Sequence, residues 1–134
     1  MPHTEKNNQA HVLAIEDDAM LLRALGDYLI FTGYRLTPIH FTGPRSLDLD
    51  VLQDSGAPPD LIVCDYHLPG DQTGIDIIAS IRTFFDREIP AILFTGDINP
   101  VTAIKAAQIP ATKMLLKPVP MKTLAKEIEA LLKG

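Results

Sequence analysis

Residues 60–74 read DLIVCDYHLPGDQTG, an apolar run that stops at an acidic residue and continues into a turn. The apolar part, LIVC at 61–64, has no polar residue, which is typical of a parallel strand covered on both faces. Asp65 follows it directly, and Pro69 and Gly70 favour a turn shortly afterwards. This stretch therefore predicts a buried strand that ends at a carboxylate.

Similar apolar runs recur along the chain, separated by longer segments that have the period of a helix. Strands that alternate with helices predict a parallel sheet with helices on both faces. The other predicted strands are VLAI at 12–15, YRLTPI at 34–39, AILF at 91–94 and MLL at 114–116. The expected fold class is therefore α/β, a layered sandwich built as (βα)₅.

The predicted helices carry start and stop signals. Asp18, Thr73 and Asn99 can each cap a helix, and Asn99 is followed by a proline at the first helical position. Gly33 and Pro110 favour helix ends. The segment 42–55 gives no clear pattern. The last helix is predicted from an apolar stripe formed by Leu124, Ile128, Leu131 and Leu132.

The composition is that of one globular domain without a broad cationic surface. The chain has 134 residues, of which 46% are hydrophobic and 22% charged, and its formal net charge is -5. We predict one domain over residues 11–134, preceded by a polar, disordered tail over 1–10. The acidic balance disfavours direct nucleic-acid binding. Neither a signal peptide nor a membrane-spanning apolar stretch is present, which predicts a cytoplasmic protein without membrane contact.

The sequence predicts a structural role for the cysteine and no metal-binding role for the histidines. Cys64 is the single cysteine, so it cannot form an internal disulfide, and its place in LIVC predicts a buried thiol. The four histidines lack the spacing of metal ligands. Only one of them lies near Asp65 in the sequence, so its side chain is expected to border the site. The histidines are His3, His11, His40 and His67.

Polar residues follow four of the five predicted strands. Glu16 and Asp17 follow the first run, Asp65 the third, Thr95 the fourth and Lys117 the fifth. Because the carboxyl ends of parallel strands share one edge of a sheet, these side chains should meet in one pocket. Packed carboxylates repel one another unless a cation neutralises them. Their oxygens suit Mg²⁺, and Mn²⁺ should substitute for it.

The acidic pair after the first strand has an alternative. It could consist of Asp17 and Asp18 instead of Glu16 and Asp17. The earlier pair is preferred because it follows the apolar run directly and leaves Asp18 free to cap the first helix.

Asp65 is the best candidate for a nucleophile because it stands alone after its strand. A carboxylate can attack phosphorus and hold an acyl phosphate. Lys117 can place a positive charge beside one phosphoryl oxygen, and Thr95 can hydrogen-bond another. Since phosphoryl transfer needs charge neutralisation and positioning more than covalent help, these few groups are sufficient.

Four segments resemble the signature segments of response-regulator receiver domains of two-component phosphorelay systems, and they occur in the same order. They are VLAIEDD, DLIVCDYHLPGDQTG, AILFTGD and LLKPV, and the resemblance covers residues 11–133. It implies a flavodoxin-like three-layer sandwich with strand order 2-1-3-4-5. The turn DYHLPGDQTG is also similar to the receivers of hybrid sensor histidine kinases, so the chain could be a stand-alone receiver or a part of a larger protein.

The resemblance implies a set of metal ligands. Asp17 and Asp65 would bind Mg²⁺ through their side chains, Glu16 would bind it through a water, and His67 would bind it through its backbone carbonyl.

It also implies a phosphoacceptor function. Asp65 would take a phosphoryl group from a histidine kinase or a histidine phosphotransfer protein, and Thr95 and Lys117 would contact the phosphoryl oxygens. Lys117 and Pro118 would be joined by a cis peptide bond. Such a domain is not an enzyme in the ordinary sense, because it acts only in its own phosphorylation and dephosphorylation.

One position departs from the family pattern. The third residue before Lys117 is often an aromatic switch, and here it is Met114. We expect phosphorylation to draw Thr95 inward and to bias the Gly96-Asp97 loop, with a smaller rearrangement than an aromatic ring gives. Partners or a second copy would dock on the fourth helix, the fifth strand and the fifth helix.

Two other functions fit the sequence less well. An aspartyl phosphatase of the haloacid dehalogenase type has a second Asp two residues after the nucleophile, where this chain has His67, and it usually has a cap domain. A non-phosphorylated interaction module would usually have lost the acidic pair, the nucleophile or the lysine, and all of these are present here.

Overall fold

The computed structural model of the chain describes residues 10–54, 57–96 and 99–133. Nine of the ten residues assigned to the tail, 1–9, lie outside the described residues. All five apolar runs form strands. These are β1 His11–Glu16, β2 Arg35–His40, β3 Leu61–Asp65, β4 Ala91–Thr95 and β5 Thr112–Leu116.

The strands form one parallel sheet in the order β2-β1-β3-β4-β5, which confirms the implied topology. β5 begins two residues before the run MLL because Thr112 and Lys113 pair with Ala91 and Ile92 of β4. The pairing also aligns the last residue of β1, Glu16, with the last residue of β2, His40. The strand ends that carry the polar residues therefore lie along one edge of the sheet.

In the described ranges, five helices connect or follow the strands. They are α1 Ala19–Phe31, α2 Leu49–Asp54, α3 Gly74–Phe85, α4 Pro100–Ala107 and α5 Met121–Lys133. The segment without a clear pattern contains a 3₁₀ turn, Pro44–Ser46, followed by α2. Asp48 starts that short helix, since its Oδ1 accepts hydrogen bonds from the amides of Asp50 and Val51.

The predicted caps lie at the helix starts. Asp18 Oδ1 accepts from the amides of Met20 and Leu21, and Asn99 Oδ1 accepts from the amide of Val101. At α3 the amide of Thr73 donates to Asp76 Oδ2 at 2.9 Å, in the manner of a capping box. These contacts satisfy amides that have no partner within the first turn.

Two apolar layers pack on the sheet. One face is covered by α2, α3 and α4, and the other is covered by α1 and α5, as shown by the helix residues found in each buried cluster. The inner strands β1, β3 and β4 are buried along their whole length. The result is the three-layer sandwich expected from the sequence. No helix in the described ranges is long and apolar enough to cross a membrane.

Candidate functional site

Four strand ends bring the acidic, hydroxyl and ammonium groups to one edge of the sheet. Glu16, Asp65 and Thr95 are the last residues of β1, β3 and β4, and their exposed fractions are only 2%, 5% and 4%. Asp17 follows β1 and is exposed. The geometry therefore combines two carboxylates fixed by burial with one that reaches solvent.

The three carboxylates form a compact cluster. One oxygen from each of Glu16, Asp17 and Asp65 can be chosen so that all three lie within 4.8 Å of one another. Lys117 crosses to the same place from the end of β5. Its Nζ lies 3.0 Å from Glu16 Oε1 and 3.3 Å from Asp65 Oδ2. One ammonium faces three acidic groups, so the cluster retains an excess of negative charge that suits a divalent cation.

The electrostatics of Glu16 and Lys117 reflect this crowding. Burial and the neighbouring carboxylates of Asp17 and Asp65 raise the pKa of Glu16 to about 7, against the opposite effect of Lys117. Burial favours the neutral form of Lys117, but its contacts with Glu16 and Asp65 outweigh burial and raise its pKa. Lys117 is therefore an ammonium that is held against buried acids.

The loop after β1 gives Asp18 a role different from that of Asp17. Glu16 Oε2 accepts from the amide of Asp17 at 2.9 Å, which fixes the backbone where the loop begins. The side chain of Asp18 caps α1, while the compact cluster is formed by Glu16, Asp17 and Asp65. The geometry thus favours Glu16 and Asp17 as the acidic pair.

The loop after β3 turns tightly around Asp65. Gly74, the first residue of α3, donates its amide to the carbonyl of Tyr66 at 2.8 Å. A Cβ at position 74 would overlap the carbonyl oxygen of Asp65 and lie 2.7 Å from Leu93 Cδ2. Sequence reasoning did not single out this glycine. Its place directly after the predicted N-cap Thr73 was the available signal. A first helical turn that packs against the end of a strand leaves no room for a side chain, which favours glycine there.

His67 lies in the same loop. It forms an isolated antiparallel bridge with Thr73, and its ring meets Tyr66 edge to face with centroids 4.8 Å apart. Its side chain is exposed.

Thr95 links the acidic cluster to α4 and β5. The amide of Lys117 donates to the carbonyl of Thr95 at 2.7 Å, and the peptide bond between Lys117 and Pro118 is cis. Thr95 also borders a cavity of about 370 Å³ between α4 and β5 that Met114 and Ala106 help to line. Of the Gly96-Asp97 loop, Gly96 is described and Asp97 lies outside the described residues.

Two further residues contact the backbone of the site. Nε2 of His40, at the end of β2, lies 3.0 Å from the backbone oxygen of Asp17. The sequence alone assigned no role to this histidine. The alignment of the ends of β1 and β2, which places His40 beside Glu16, is the signal that indicates its contact with the site. The Sγ of Cys64 donates to the carbonyl of Asp65 at 3.3 Å. This cysteine is fully buried, and burial raises the pKa of its thiol far above the usual range.

The family and several of the curated proteins that the chain resembles are response regulators. A family model described as the response regulator receiver domain matches residues 12–129. The chain is 31% identical over 126 residues to the transcriptional regulatory protein BaeR of Escherichia coli, a match that covers 94% of this chain and 49% of BaeR. It is 28% identical over 113 residues to the two-component response regulator ORR24 of Oryza sativa subsp. indica, covering 84% of this chain and 17% of that protein. The chain thus spans half or less of the length of these two relatives.

Solved structures have the same fold. The chemotaxis response regulator CheY4 of Vibrio cholerae superposes with a TM-score of 0.72 at 22% identity, covering 92% of this chain and 98% of CheY4. A response regulator receiver domain protein from Clostridium thermocellum gives a TM-score of 0.78 at 22% identity, covering 92% of this chain and 94% of that one.

Proposed function

Because the chain belongs to the response regulator receiver domain family of two-component systems, we propose that it accepts a phosphoryl group on Asp65 in an Mg²⁺-dependent reaction. The donor is a phosphohistidine on a histidine kinase or on a histidine phosphotransfer protein. The observation that carries this proposal is the position of Asp65, a buried carboxylate within the acidic cluster and 3.3 Å from the Lys117 ammonium.

The acidic cluster has the chemistry that Mg²⁺ requires. Hard carboxylate oxygens on a partly exposed edge can hold the ion while leaving positions for waters and phosphoryl oxygens. In our proposal Asp17 and Asp65 bind it directly, Glu16 acts through a water and His67 offers its backbone carbonyl. Mn²⁺, which takes similar ligands, should substitute. The bound ion would neutralise charge on the phosphoryl oxygens during transfer.

Asp65, Lys117 and Thr95 contribute differently to the proposed phosphoryl transfer. A carboxylate oxygen of Asp65 forms the bond to phosphorus while the P–N bond of the donor breaks. The electron pair stays on the imidazole nitrogen, and the ring, already protonated on its other nitrogen, leaves neutral. Lys117 remains an ammonium beside the new charge, and Thr95 contacts a phosphoryl oxygen through its hydroxyl. The domain thus acts on its own carboxylate and does not turn over an external substrate.

Phosphorylation with a small donor tests the assignment of Asp65. Wild-type protein incubated with acetyl phosphate and Mg²⁺ should gain the mass of one phosphoryl group, and Asp65→Asn should gain none because its amide cannot form the acyl phosphate. Unchanged labelling of the variant would overturn the assignment. Steady hydrolysis of many phosphate esters would indicate an aspartyl phosphatase, and an inert wild-type protein would indicate an interaction module.

Metal titration tests the acidic pair. Asp17→Ala should lose Mg²⁺ binding and phosphorylation together, because it removes the exposed carboxylate of the cluster. Asp18→Ala is the matched control, since it removes the neighbouring carboxylate at a cost of about 1 kcal/mol in helix capping. It should retain most of the Mg²⁺ affinity measured by calorimetry. A larger loss of Mg²⁺ affinity in Asp18→Ala than in Asp17→Ala would contradict the choice of Glu16 and Asp17 and would favour Asp17 and Asp18 as the acidic pair.

The output partner is proposed from the exposed apolar residues beside Thr95. Val101 and Ile104 of α4 and Leu116 of β5 are 64%, 60% and 46% exposed. We assign docking of an effector, or of a second copy of the chain, to the surface formed by α4, β5 and α5. The origin of the chain, as a stand-alone receiver or as part of a larger regulator or hybrid kinase, stays a prediction.

A further inference from the structure

The main chain of Asp17 is held from both sides. Its amide donates to Glu16 Oε2 at 2.9 Å, and its carbonyl oxygen lies 3.0 Å from Nε2 of His40. One residue further on, Asp18 is fixed by its capping bonds to α1. The two peptide groups that flank the Asp17 Cα are therefore bonded to residues of β1 and β2, and the next residue is fixed to α1.

The position of His40 follows from the strand register. Glu16 and His40 are partners in the pairing of β1 with β2, and the amide of Phe41 donates to the carbonyl of Glu16 at 2.8 Å. His40 thus lies beside the end of β1, where the loop that carries Asp17 and Asp18 begins. Its side chain lines the groove between β2 and α1 together with Ala19 and Pro38.

The direction of this hydrogen bond is fixed by its acceptor. A backbone carbonyl can only accept, so Nε2 of His40 must carry the hydrogen. The contact therefore selects one tautomer of the neutral ring, the one protonated on Nε2.

Burial restrains the Asp17 carboxylate less than it restrains the other two carboxylates of the cluster, so a hydrogen bond to the Asp17 backbone matters more. Glu16 and Asp65 are 2% and 5% exposed, so the surrounding core limits their movement. Asp17 is exposed, and packing does not restrain its carboxylate in the same way. Its direction depends on the backbone that carries it and on its side-chain contacts with Glu16 and Asp65.

We propose that His40 is a positioning residue for the metal site, which aims the Asp17 carboxylate at the acidic cluster by hydrogen-bonding the Asp17 carbonyl. This inference rests on the proposed Mg²⁺-dependent function of the site. Groups that orient metal ligands commonly contribute between tenfold and a hundredfold to metal affinity. Because His40 is itself exposed, we place its effect at the lower end, about tenfold.

The test compares Mg²⁺ affinity, measured by calorimetry, in four proteins. Relative to wild type, His40→Ala should weaken Mg²⁺ binding about tenfold, and His40→Gln should recover most of the loss because its amide can donate from nearly the same place. Pro38→Ala is the matched control, since it alters the same strand and groove without touching Asp17. Thermal unfolding in EDTA should be similar for His40→Ala and His40→Gln, which separates aiming of Asp17 from general stability.

The ring nitrogens give an independent readout. At pH 8 the ¹⁵N shifts of His40 should report the tautomer protonated on Nε2. Equal Mg²⁺ affinity in wild type and His40→Ala, or a ring protonated on Nδ1 alone, would overturn the inference while leaving the metal site intact. Failure of the wild-type protein to bind Mg²⁺ would overturn the proposed function, and this inference with it.

Discussion

His11 is a buried titratable side chain at the start of β1, at the opposite edge of the sheet from the acidic cluster. Its Nε2 lies 2.7 Å from Thr37 Oγ1, its amide donates to Asp60 Oδ2, and its Nδ1 is buried without a hydrogen-bond partner among the described residues. Burial and the charge of Arg35 lower the pKa of His11, against the opposite effect of Asp60. The fold thus favours the neutral imidazole at a position where the unfolded chain can take up a proton.

This residue should make the protein less stable in mild acid. As the pH falls below about 6.5, the unfolded chain binds a proton that folded His11 does not, so the free energy of unfolding decreases. The contribution is at most about 1.4 kcal/mol per pH unit and ends once the pH passes the lowered pKa of the folded state. His11→Gln keeps a polar group near Thr37 but cannot titrate, so its stability should fall less over this range.

The effect of His11 is read from the difference in unfolding free energy between wild type and His11→Gln, because Glu16 changes the stability with pH in the opposite direction. Its folded-state pKa is raised from 4.5 to about 7, so its contribution to stability is fully present below 4.5 and is lost as the pH rises toward 7. Subtracting the unfolding free energies of His11→Gln from those of wild type, both measured by urea denaturation in EDTA, cancels that term. Identical pH profiles for the two proteins would contradict the assignment to His11.

Among the elements, α3 depends most strongly on a single small residue. Gly74 brings the first turn of α3 against the backbone of Asp65, where an added Cβ would meet a carbonyl oxygen that cannot move independently of the strand. Gly74→Ala should therefore destabilise the fold by about 1–3 kcal/mol, the usual cost of overpacking. It should also slow phosphorylation by acetyl phosphate, because relief of the overlap shifts Asp65.

A second glycine provides the control. Gly43 lies in extended backbone after β2, and a Cβ built there meets nothing within 4 Å. Gly43→Ala should leave both the unfolding free energy and the phosphorylation rate close to wild type. Equal losses in the two variants would show that close packing against Asp65 is not the cause.

Local signals were sufficient for most elements and for the acidic residues that cluster at the strand ends. Uninterrupted apolar runs identified the inner strands, and Asp18 and Asn99 marked helix starts because capping depends on neighbours two or three residues away. The helix α2 was missed because Asp48 is one of several acids in a segment without a long apolar stripe. His40 and Gly74 were missed for another reason. Their importance arises from strand register and from contact with residues distant in sequence. The place of Gly74 after Thr73 is a local signal, but the atoms that a Cβ there would meet are not visible in the sequence.

At the scale of the whole molecule, Thr95 lies between the acidic cluster and the elements α4 and β5. It ends β4 within the site, and its carbonyl accepts from the amide of Lys117 at the end of β5. On its other side lies the cavity of about 370 Å³ between α4 and β5. Met114, which is half-buried there, lines this space with a flexible thioether where an aromatic ring is common in the family.

We expect phosphorylation to move the Thr95 hydroxyl toward the new phosphoryl oxygens and to bias α4 and β5 by a small amount, since Met114 carries no ring that could rotate into the cavity. Beryllofluoride with Mg²⁺, a mimic of the aspartyl phosphate, should change NMR shifts at Thr95 and Met114 and along 100–107. Met114→Phe should enlarge those changes, because an aromatic ring can fill space that the thioether leaves. Asp65→Asn should show none of them. A response confined to the loop after Asp65, with residues 99–117 unchanged in both wild type and Met114→Phe, would leave the domain as a phosphoryl acceptor without a Thr95-driven output.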